Sequence, residues 1–478
     1  MIPNQEPLSE NYWTDLLRPV FDGRQVIVAG DTVAQMVPIA RLIKSLGAQS
    51  TFMLGTQGAG SGDTPTAEDG DWLAIDAPAV SNIVAAVHTG QERLGNLPPS
   101  ALAALDKYDP GCSAMVLGSF FNENPVIAGR QAFAHRRPEW LALEDKMVVD
   151  DIWDKIGVAR EPIEIVDVDR TAVMAAAERI DEGYGTVWSG DAREGFSGGG
   201  EGVRWVRTAA DADSALAYYG QQCDRLRVMP FLEGIPCSVH GIVFPDYVAA
   251  LRPVEMIVMR RAESNRFFYG GTATYWDPAP ADRDEMRSIA KRVGRTLREQ
   301  VNYRGIFTVD GVVTKNGFRP TEMNPRSGAG IKPLMTGLPQ VPLQLIADSL
   351  SAGLELDYRP QELESLIIAE ADRQRGGGTW LAVPSVLAPI DKRPLKYGPN
   401  GWEWADGGGS DADGSPGGGD ATVTIGPGPL GSFIMLTPTA SSVAHGPSFA
   451  PMARDFWRFA DQQFNLDIGQ LETAQPVR

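Results

Sequence analysis

The stretch FRPTEMNPRSGAG, residues 318–330, places three polar side chains at alternate positions of a segment that has the pattern of a β-strand. Alternate side chains of a strand share a face, so Glu322, Asn324 and Arg326 are expected to project together, while Met323 faces the other side. A short run with two glycines follows directly. The sequence therefore predicts a polar strand face that carries a carboxylate, an amide and a guanidinium.

The segment before this stretch, GIFTVDGVVT, reads as a second strand and carries Asp310. Hairpin pairing would bring Asp310 close to Glu322 and Asn324, so that three oxygen-bearing side chains converge. Mg²⁺ prefers such oxygens and completes its shell with waters and substrate phosphates. Arg326 would neutralise a phosphoryl group or an oxyanion beside the ion. The alternative is a solvated hairpin with a surface ion pair.

A glycine-rich turn follows the strand TVWSG, residues 186–190. Residues 197–200, SGGG, would let backbone N–H groups approach phosphate oxygens without obstruction by side chains. The turn is not a Walker A loop, because no GK[ST] follows and no helix opens there. The alternative interpretation is a plain mobile hairpin turn.

The stretch RVMPFLEGIPCSVHG, residues 227–241, combines an apolar strand, a turn at Glu233 and another strand. An adenine ring would lie against such a segment and meet backbone groups between Met229 and Leu232. The alternative is a buried β corner. His240 lies in the second strand and is interpreted as a core residue rather than a base.

Composition limits the class of protein. The chain of 478 residues carries 43 Lys and Arg against 61 Asp and Glu, a net charge of −18. This charge disfavours nucleic acid and anionic membranes as partners, because the long-range field repels phosphates. The three cysteines lack metal-binding or disulfide spacing, and no apolar run is long enough to span a bilayer. We therefore expect a multi-domain cytoplasmic protein.

The order of elements predicts an α/β (α+β) chain of three parts. Residues 1–143 begin with a β-α-β pattern and are expected to form an open α/β domain. The turn AGDTVAQM in this pattern lacks the GxGxxG motif, so the sequence gives little support for a nicotinamide dinucleotide site. Residues 144–364 carry the polar motifs, and LRVMPFL, SVHGIVF, VEMIVMR and RFFYGGTATY are expected to form one largely antiparallel sheet. Residues 365–478 form a small α+β appendage, in which the glycine-rich segment 405–420 is expected to be a mobile surface loop.

In chain order the three motifs are the glycine-rich turn, the stretch 227–241 and the hairpin with Asp310 and Glu322. Together they resemble the ATP-grasp superfamily of carboxylate–amine ligases, and the match runs from about residue 145 to residue 337. The resemblance implies a pre-ATP-grasp domain followed by two subdomains that enclose ATP. It implies two Mg²⁺ ions, for which Mn²⁺ would also serve. Asp310 and Glu322 would bind metal, and Asn324 would complete the second site.

The same resemblance assigns roles to two cations. Arg326 would meet the phosphate and the reacting acyl group, and Lys146, in EDKMVVDDIW, would reach the ATP phosphates. The alternative for Lys146 is an ordinary surface lysine. The remaining residues that the resemblance places around ATP are Ser197, Gly198, Gly199, Met229, Phe231, Leu232 and Glu233.

Two positions depart from the family pattern. The strand before the glycine loop usually carries a second lysine, but Trp188 and Ser189 stand there, and Arg193 is the candidate substitute. The glutamate that commonly holds the ribose hydroxyls is replaced by Pro236.

Within the superfamily the chain looks most like the peptide ligases of pheganomycin-type biosynthesis. The implied reaction activates a small-molecule carboxylate as an acyl phosphate, which the amine of an amino acid or peptide attacks. ADP and phosphate leave, and related enzymes are often homodimers. The alternative is a nonenzymatic ATP-binding regulatory module that keeps the fold.

Overall fold

The computed structural model describes most of the chain, namely residues 9, 11–60, 64–76, 80, 82–119, 121–193, 198, 200–383, 390–405, 418–428 and 430–475. Two candidate phosphate-binding residues, Ser197 and Gly199, lie outside these residues. Most of the predicted mobile loop 405–420 also lies outside them.

The N-terminal part is an open parallel sheet with helices packed on both faces. Its elements are α1 (Tyr12–Phe21), β1 (Gln25–Gly30), α2 (Val33–Ser45), β2 (Ser50–Gly55), β3 (Asp71–Ala74), α3 (Ile83–Gly95), α4 (Pro99–Tyr108), β4 (Met115–Leu117), β5 (Val126–Ile127), β6 (Arg130–Gln131) and α5 (Pro138–Leu141). The strand order is β3-β2-β1-β4, with parallel neighbours. Alternate residues of β1 serve two cores: Val26 and Val28 join one with α1 and α2, and Ile27 and Ala29 join another with α3 and α4. The predicted open α/β unit is confirmed.

A second, four-stranded antiparallel sheet follows. Its elements are α6 (Val149–Lys155), β7 (Glu164–Asp167), α7 (Arg170–Ile180), β8 (Thr186–Gly190), β9 (Val203–Val206), α8 (Ala209–Gln222) and β10 (Arg225–Pro230). The order is β7-β10-β8-β9. Trp188, Leu226 and Val228 pack against α7 and α8 on one face. Because strand residues alternate, Ser189 and Arg227 point to the opposite face.

The largest sheet follows in the chain. Its elements are β11 (Gly234–Val243), β12 (Val248–Ala250), β13 (Val254–Arg261), β14 (Phe267–Ala273), α9 (Pro280–Val301), β15 (Gly305–Thr314), β16 (Gly317–Asn324), α10 (Ile331–Leu334) and α11 (Leu343–Ser351). The order is β14-β13-β11-β15-β16, with antiparallel neighbours. Helix α9 covers one face because its apolar residues recur at helical spacing, at Met286, Ile289, Val293 and Leu297.

The C-terminal part adds a five-stranded antiparallel sheet. Its elements are α12 (Pro360–Arg373), β17 (Thr379–Val383), β18 (Asp391–Gly398), β19 (Gly401–Trp404), β20 (Ala421–Gly428), β21 (Gly431–Pro438), α13 (Ala450–Phe464) and β22 (Leu471–Glu472). Strand β22 returns to pair with β13 of the largest sheet. Ile257 and Phe268 of that sheet share one core with Leu436 and Trp457. The C-terminal part is therefore joined to the largest sheet by a continuous apolar core.

One predicted grouping is wrong. LRVMPFL was expected to join the same sheet as the three strands after it, but β10 pairs with β7 and β8 instead. The local apolar pattern shows that a segment is a strand, whereas its partners are chosen by contacts far along the chain. The strand at Gly234–Val243 then begins a different sheet.

Buried charges also join the C-terminal part to the largest sheet. Arg252 is fully buried, and its Nε donates to Asp372 Oδ1 at 2.8 Å while its Nη2 meets Asp277 Oδ1 at 2.5 Å. Removing one partner of such a buried pair is costly, because it leaves the other charge without compensation.

Across the described ranges, none of the helices combines the length and apolar character needed to cross a bilayer.

We predict that Trp457→Ala lowers the thermal unfolding midpoint strongly. Trp457 is fully buried in the shared core, and its indole N–H donates to Thr379 Oγ1 at 2.6 Å. Such truncations cost about 3–5 kcal/mol. The matched control is Trp72→Ala, since Trp72 is 43% exposed. Equal shifts in calorimetric scans of the two variants would contradict the prediction.

Candidate active site

The candidate metal ligands lie on one face of the largest sheet. Asp310 of β15 pairs directly with Glu322 of β16 on one side and with Ser238 of β11 on the other. Directly opposed residues of antiparallel strands point to the same face, so these three side chains form one row. The hairpin pairing expected from the sequence is present.

A β-bulge sets this row. Gly311 pairs with Pro320, but the next residue, Asp310, pairs with Glu322, so Thr321 is an extra residue in β16. Without the bulge Asp310 would face Thr321 instead of Glu322. Bulges of this kind are found next to active sites, where they redirect a side chain. The bulge therefore places two carboxylates opposite each other.

A second row lies two residues further along each strand and contains His240, Thr308 and Asn324. The loop after Arg326 covers part of this row. A Cβ added to Gly330 would lie 2.4 Å from His240 Cε1, and one added to Gly328 would lie 2.5 Å from Thr308 Oγ1. Such distances are too short for any side chain, so the loop can lie this close only because these residues are glycines.

His240 is unsuited to act as a base. It is fully buried, and neither ring nitrogen has a hydrogen-bond partner in the part of the chain that the structure describes. Burial lowers the pKa of His240 to about 3. The sequence analysis interpreted His240 as a core residue, and its burial confirms this position. The ring is therefore neutral and lies beneath the loop.

Hydrogen bonds connect the rows into one network. Ser238 Oγ donates to Asp310 Oδ1 at 2.5 Å, and Asn324 Nδ2 donates to Asp310 Oδ2 at 3.1 Å. Lys146 Nζ donates to Glu322 Oε1 at 2.9 Å. Lys146 follows a short 3₁₀ turn at Ala142–Glu144, which packs against β16. The candidate phosphate lysine is thus in direct contact with a candidate metal ligand.

Arg326 reaches the same network from beyond the strand. The sequence pattern continued the strand through Arg326, but β16 ends at Asn324. The guanidinium nevertheless returns to the site, where Nη2 donates to Asn324 Oδ1 at 3.1 Å and Nε donates to Glu144 Oε1 at 2.8 Å.

Electrostatics show what the row requires. Burial raises the pKa of Asp310 to about 7, and the charge of Glu322 adds to this rise. Burial acts on Glu322 as well, but Lys146 and Arg326 outweigh it and lower the pKa of Glu322. Two like charges side by side in a buried place favour a bound cation. The nearby cations therefore stabilise the charge of Glu322 but do not prevent the rise at Asp310.

The donor set suits a hard divalent cation. Within the described ranges no group of three His, Cys, Asp or Glu side chains could hold a metal ion. The candidate set would instead combine the carboxylates of Asp310 and Glu322 with the amide oxygen of Asn324, which accepts a hydrogen bond from Arg326 Nη2 at 3.1 Å in this structure. Mg²⁺ accepts so few protein ligands because it keeps several waters and takes substrate phosphates. The residues fit the ion that the sequence predicts.

Sequence reasoning missed Arg227, a buried cation of β10. Arg227 pairs across the sheet with Ser189 and shares its face, and Ser189 is one of the two residues, with Trp188, that stand where the resemblance expects a lysine. Its Nε and Nη2 donate to the two oxygens of Asp150 at 2.6 and 2.8 Å. Its charge contributes to the lowered pKa of Glu322. The signal in the sequence was an arginine inside the otherwise apolar run LRVMP.

Arg193, the predicted substitute for that lysine, lies at the surface. Its Nη1 donates to Asp224 Oδ1 at 2.8 Å, and its Nη2 donates to the carbonyl of Gln221 at 2.9 Å. Gly198 accepts a backbone hydrogen bond from Glu201 in the turn between β8 and β9. The phosphate contacts of these residues remain predictions.

The candidate adenine segment joins β10 to β11. Met229 is buried, and the ring of Phe231 stacks on Trp205 with centroids 4.4 Å apart. Glu233 accepts hydrogen bonds from Arg260 at 2.7 Å and from the backbone N–H of Gln475 at 2.9 Å. Leu232 is half-buried. The adenine contacts of this segment remain predictions.

Comparisons with known proteins give structural likeness only. No family model and no curated protein matches the chain. A phosphoribosylamine–glycine ligase from Thermotoga maritima is 12% identical with a TM-score of 0.49, over 91% of this chain and 96% of that one. A carboxyaminoimidazole ribonucleotide synthase from Aspergillus clavatus, solved with ATP, is 13% identical with a TM-score of 0.49, over 93% of this chain and 99% of that one.

A third solved structure is similar to the chain. The biotin carboxylase subunit of pyruvate carboxylase is 16% identical with a TM-score of 0.46, over 87% of this chain and 86% of that one. At such low identities and TM-scores these likenesses assign the chain neither a family nor an activity. The chemistry that the site can perform therefore follows only from the residues that this chain places there.

We predict that Gly330→Ala destabilises the protein, because the new methyl group would collide with His240 Cε1 and Val254 Cγ2, which lie 2.4 and 2.5 Å away. Overpacking of this kind costs about 1–3 kcal/mol. Thermal unfolding would measure the loss. The control is Gly220→Ala in α8, where an added Cβ meets nothing within 4 Å.

His240→Ala tests the cause. In a double-mutant cycle the cost of Gly330→Ala should shrink when the His240 ring is absent, since the two residues touch. Additive losses in the double variant would refute the proposed collision.

Proposed function

We propose that this chain is an ATP-dependent carboxylate–amine ligase of the ATP-grasp type, which activates a carboxylate as an acyl phosphate and joins it to an amine. The observation that carries the proposal is the row of Asp310 and Glu322 with its hydrogen bonds. Lys146 donates to Glu322, Asn324 donates to Asp310, and Arg326 donates to Asn324. This row gathers oxygen ligands and phosphate-binding cations at one place. An amide would be the product, with release of ADP and phosphate.

Asp310, Glu322 and Asn324 would hold Mg²⁺, with two ions expected. When bound, magnesium neutralises phosphate charge and orients the transferred group. The like charges of Asp310 and Glu322 would then be compensated, and the Lys146 ammonium, which now neutralises Glu322, would be released toward phosphate oxygens.

Arg227 would supply the phosphate cation that the strand TVWSG lacks. It lies on the inward face of its sheet, directly opposite Ser189, and its charge already acts on Glu322. Asp150 holds the guanidinium in place through two charge-assisted hydrogen bonds. A guanidinium binds phosphate well because its donors form a planar fork.

Arg326 would act on the reacting acyl group. A carboxylate is a poor electrophile, so its oxygen first takes the γ-phosphoryl group of ATP and ADP leaves. The amine nitrogen then bonds to the acyl carbon, the bond from that carbon to the phosphate oxygen breaks, and phosphate leaves. The Arg326 guanidinium would stabilise the oxyanion that forms in between. No nucleophilic side chain is required.

The narrower proposal is a peptide bond, formed between a small-molecule carboxylate and an amino acid or peptide, as in natural product biosynthesis. It rests on the sequence resemblance to pheganomycin-type ligases. The division of the chain at 143/144 and 364/365, a cytoplasmic location and a homodimer belong to the same proposal.

We predict that Glu322→Gln and Arg326→Ala abolish substrate-dependent ADP release. Glu322→Gln removes a carboxylate ligand, and Arg326→Ala removes the oxyanion donor, whose loss costs about 100-fold or more in rate. A screen of carboxylic acids and amines with ATP and Mg²⁺, followed by mass spectrometry of positive wells, gives the substrate pair for the rate measurement.

The control variants are Glu164→Gln and Arg179→Ala, which belong to a surface ion pair. They should leave the rate unchanged. Full turnover in both site variants would remove the mechanism. Tight ATP binding without ADP release across the whole panel would instead favour a nonenzymatic regulatory module.

We predict that replacing Arg227 raises the KM for ATP more than replacing Arg193 does. Arg227→Ala alone would leave the buried Asp150 carboxylate without its positive partner, so both residues are changed together, as Arg227→Gln with Asp150→Asn. A lost charged hydrogen bond is worth about 1.5–3 kcal/mol, so the KM for ATP should rise about 10-fold or more. Arg193→Gln is the matched single change, and a larger rise in that variant would overturn the assignment.

A further inference from the structure

A second cleft has Arg326 in its lining but none of Asp310, Glu322 or Asn324. It is formed by the end of β4, the segment before α5 and one side of α11. Its polar lining includes Ser119, His135, Arg136, Arg326, Gln344 and Asp348. The cleft has a volume of about 50 Å³, which is room for a small head group rather than a whole molecule.

Asp348 is a carboxylate without a cation. Its Oδ1 accepts a hydrogen bond from Gln344 Nε2 at 2.9 Å. Among the described residues its Oδ2 has no hydrogen-bond donor, and Asp348 forms no ion pair, in contrast to the buried Asp109 and Asp150, which pair with Arg130 and Arg227. Buried carboxylates are normally paired, because burial disfavours an isolated charge. The side chain therefore lacks a positive partner.

Arg326 connects this cleft to the metal face. Its guanidinium donates to Asn324 of the second row, while Arg326 and Ser327 also line the cleft. A group held in the cleft would therefore lie next to the residue proposed to contact the acyl carbon. Of the charged groups that share the cleft, Arg136 is already paired with Glu144, and Arg326 is paired with the same carboxylate.

We propose that Asp348 binds the ammonium group of the amine substrate in this cleft. The inference rests on the proposed ligase function and adds the site that holds the second substrate. An ammonium ion supplies the missing positive charge, and its three N–H donors suit the free oxygen of Asp348 and the neighbouring Ser119 hydroxyl.

Asp348 would also accept the proton that the amine must lose. The substrate R–NH₃⁺ passes one proton to the carboxylate and becomes R–NH₂. The freed lone pair attacks the acyl carbon, the bond from that carbon to the phosphate oxygen breaks, and the second proton of the nitrogen leaves with the phosphate as hydrogen phosphate. Burial raises the pKa of Asp348 to about 7, so the carboxyl group can hold this proton near neutral pH. Gln344 contacts Asp348 from its own helix, and the other charged or titratable groups in the cleft lining include His135, Arg136 and Arg326.

Glycinamide is the probe for the site, because it carries a free amine and no carboxylate. Calorimetric titration of the full chain should show binding to the wild type and about 10-fold or more weaker binding to Asp348→Asn, the loss expected for a charged hydrogen bond. Asp348→Glu, which keeps the charge, should recover part of the affinity. The control is Asp357→Asn, at an exposed aspartate that pairs with Arg359. Equal affinity of Asp348→Asn and wild type, or no binding to wild type, overturns the inference.

Hydroxylamine separates this inference from the proposed function. As a small neutral nucleophile, it traps an acyl phosphate as a hydroxamate without needing the ammonium site. Asp348→Asn should still form hydroxamate with the acids found in the screen, and its KM for glycinamide should rise by a larger factor than its KM for hydroxylamine. No hydroxamate from the wild type would defeat the ligase proposal, and the glycinamide titration would still decide the role of Asp348.

Thermal unfolding shows whether Asp348→Asn keeps its fold. Because burial raises the pKa of Asp348 from 3.8 to about 7, the folded state binds its proton more tightly than the unfolded state. Wild-type stability should therefore decline as pH rises from about 4 to 7, while the variant escapes this decline. The unfolding midpoint of Asp348→Asn should exceed that of the wild type at pH 8 and match it at pH 4. A lower midpoint at both values would overturn the assignment of an unpaired carboxylate.

Discussion

The site depends on the repulsion between two carboxylates that the sheet holds side by side. Asp310 and Glu322 face each other across β15 and β16, where burial leaves little water to screen them. Each neighbouring polar group reduces this repulsion, as Lys146 does at Glu322 and Ser238 does at Asp310. In the proposed function a bound divalent cation would take over this role. The neighbouring groups stabilise the charge of Glu322 more than that of Asp310, whose pKa stays raised.

The strand pattern of the sequence was enough to locate this row, and long-range contacts explain what it missed. Alternation along β16 predicted that Glu322 and Asn324 share a face, and the short connection to β15 predicted the pairing with Asp310. The extra residue at Thr321 has no local signature, although it decides which side chain meets Asp310. Arg326 was expected on the strand and lies beyond its end.

Residues brought together from distant segments were harder to predict. Arg227 and Ser189 are 38 positions apart and pair across two neighbouring strands. This pairing depends on the strand order of a sheet to which the sequence analysis did not assign LRVMPFL. The sequence analysis did not single out Asp348, because the cleft beside it is formed by segments near residues 117–136 that lie far from α11 along the chain. Burial of His240 was expected, but the close approach of Gly330 became visible only in three dimensions.

The return of the chain at β22 links distant parts of the protein. Arg260 contacts both Glu233 and the carbonyl of Thr473, and the N–H of Gln475 donates to Glu233. A segment near the C-terminal end of the chain thus secures the turn proposed to flank the adenine ring. A protease cut that released this segment would loosen the grip on the nucleotide base while leaving the carboxylate row intact, so that a nicked molecule would lose affinity before it lost its chemistry.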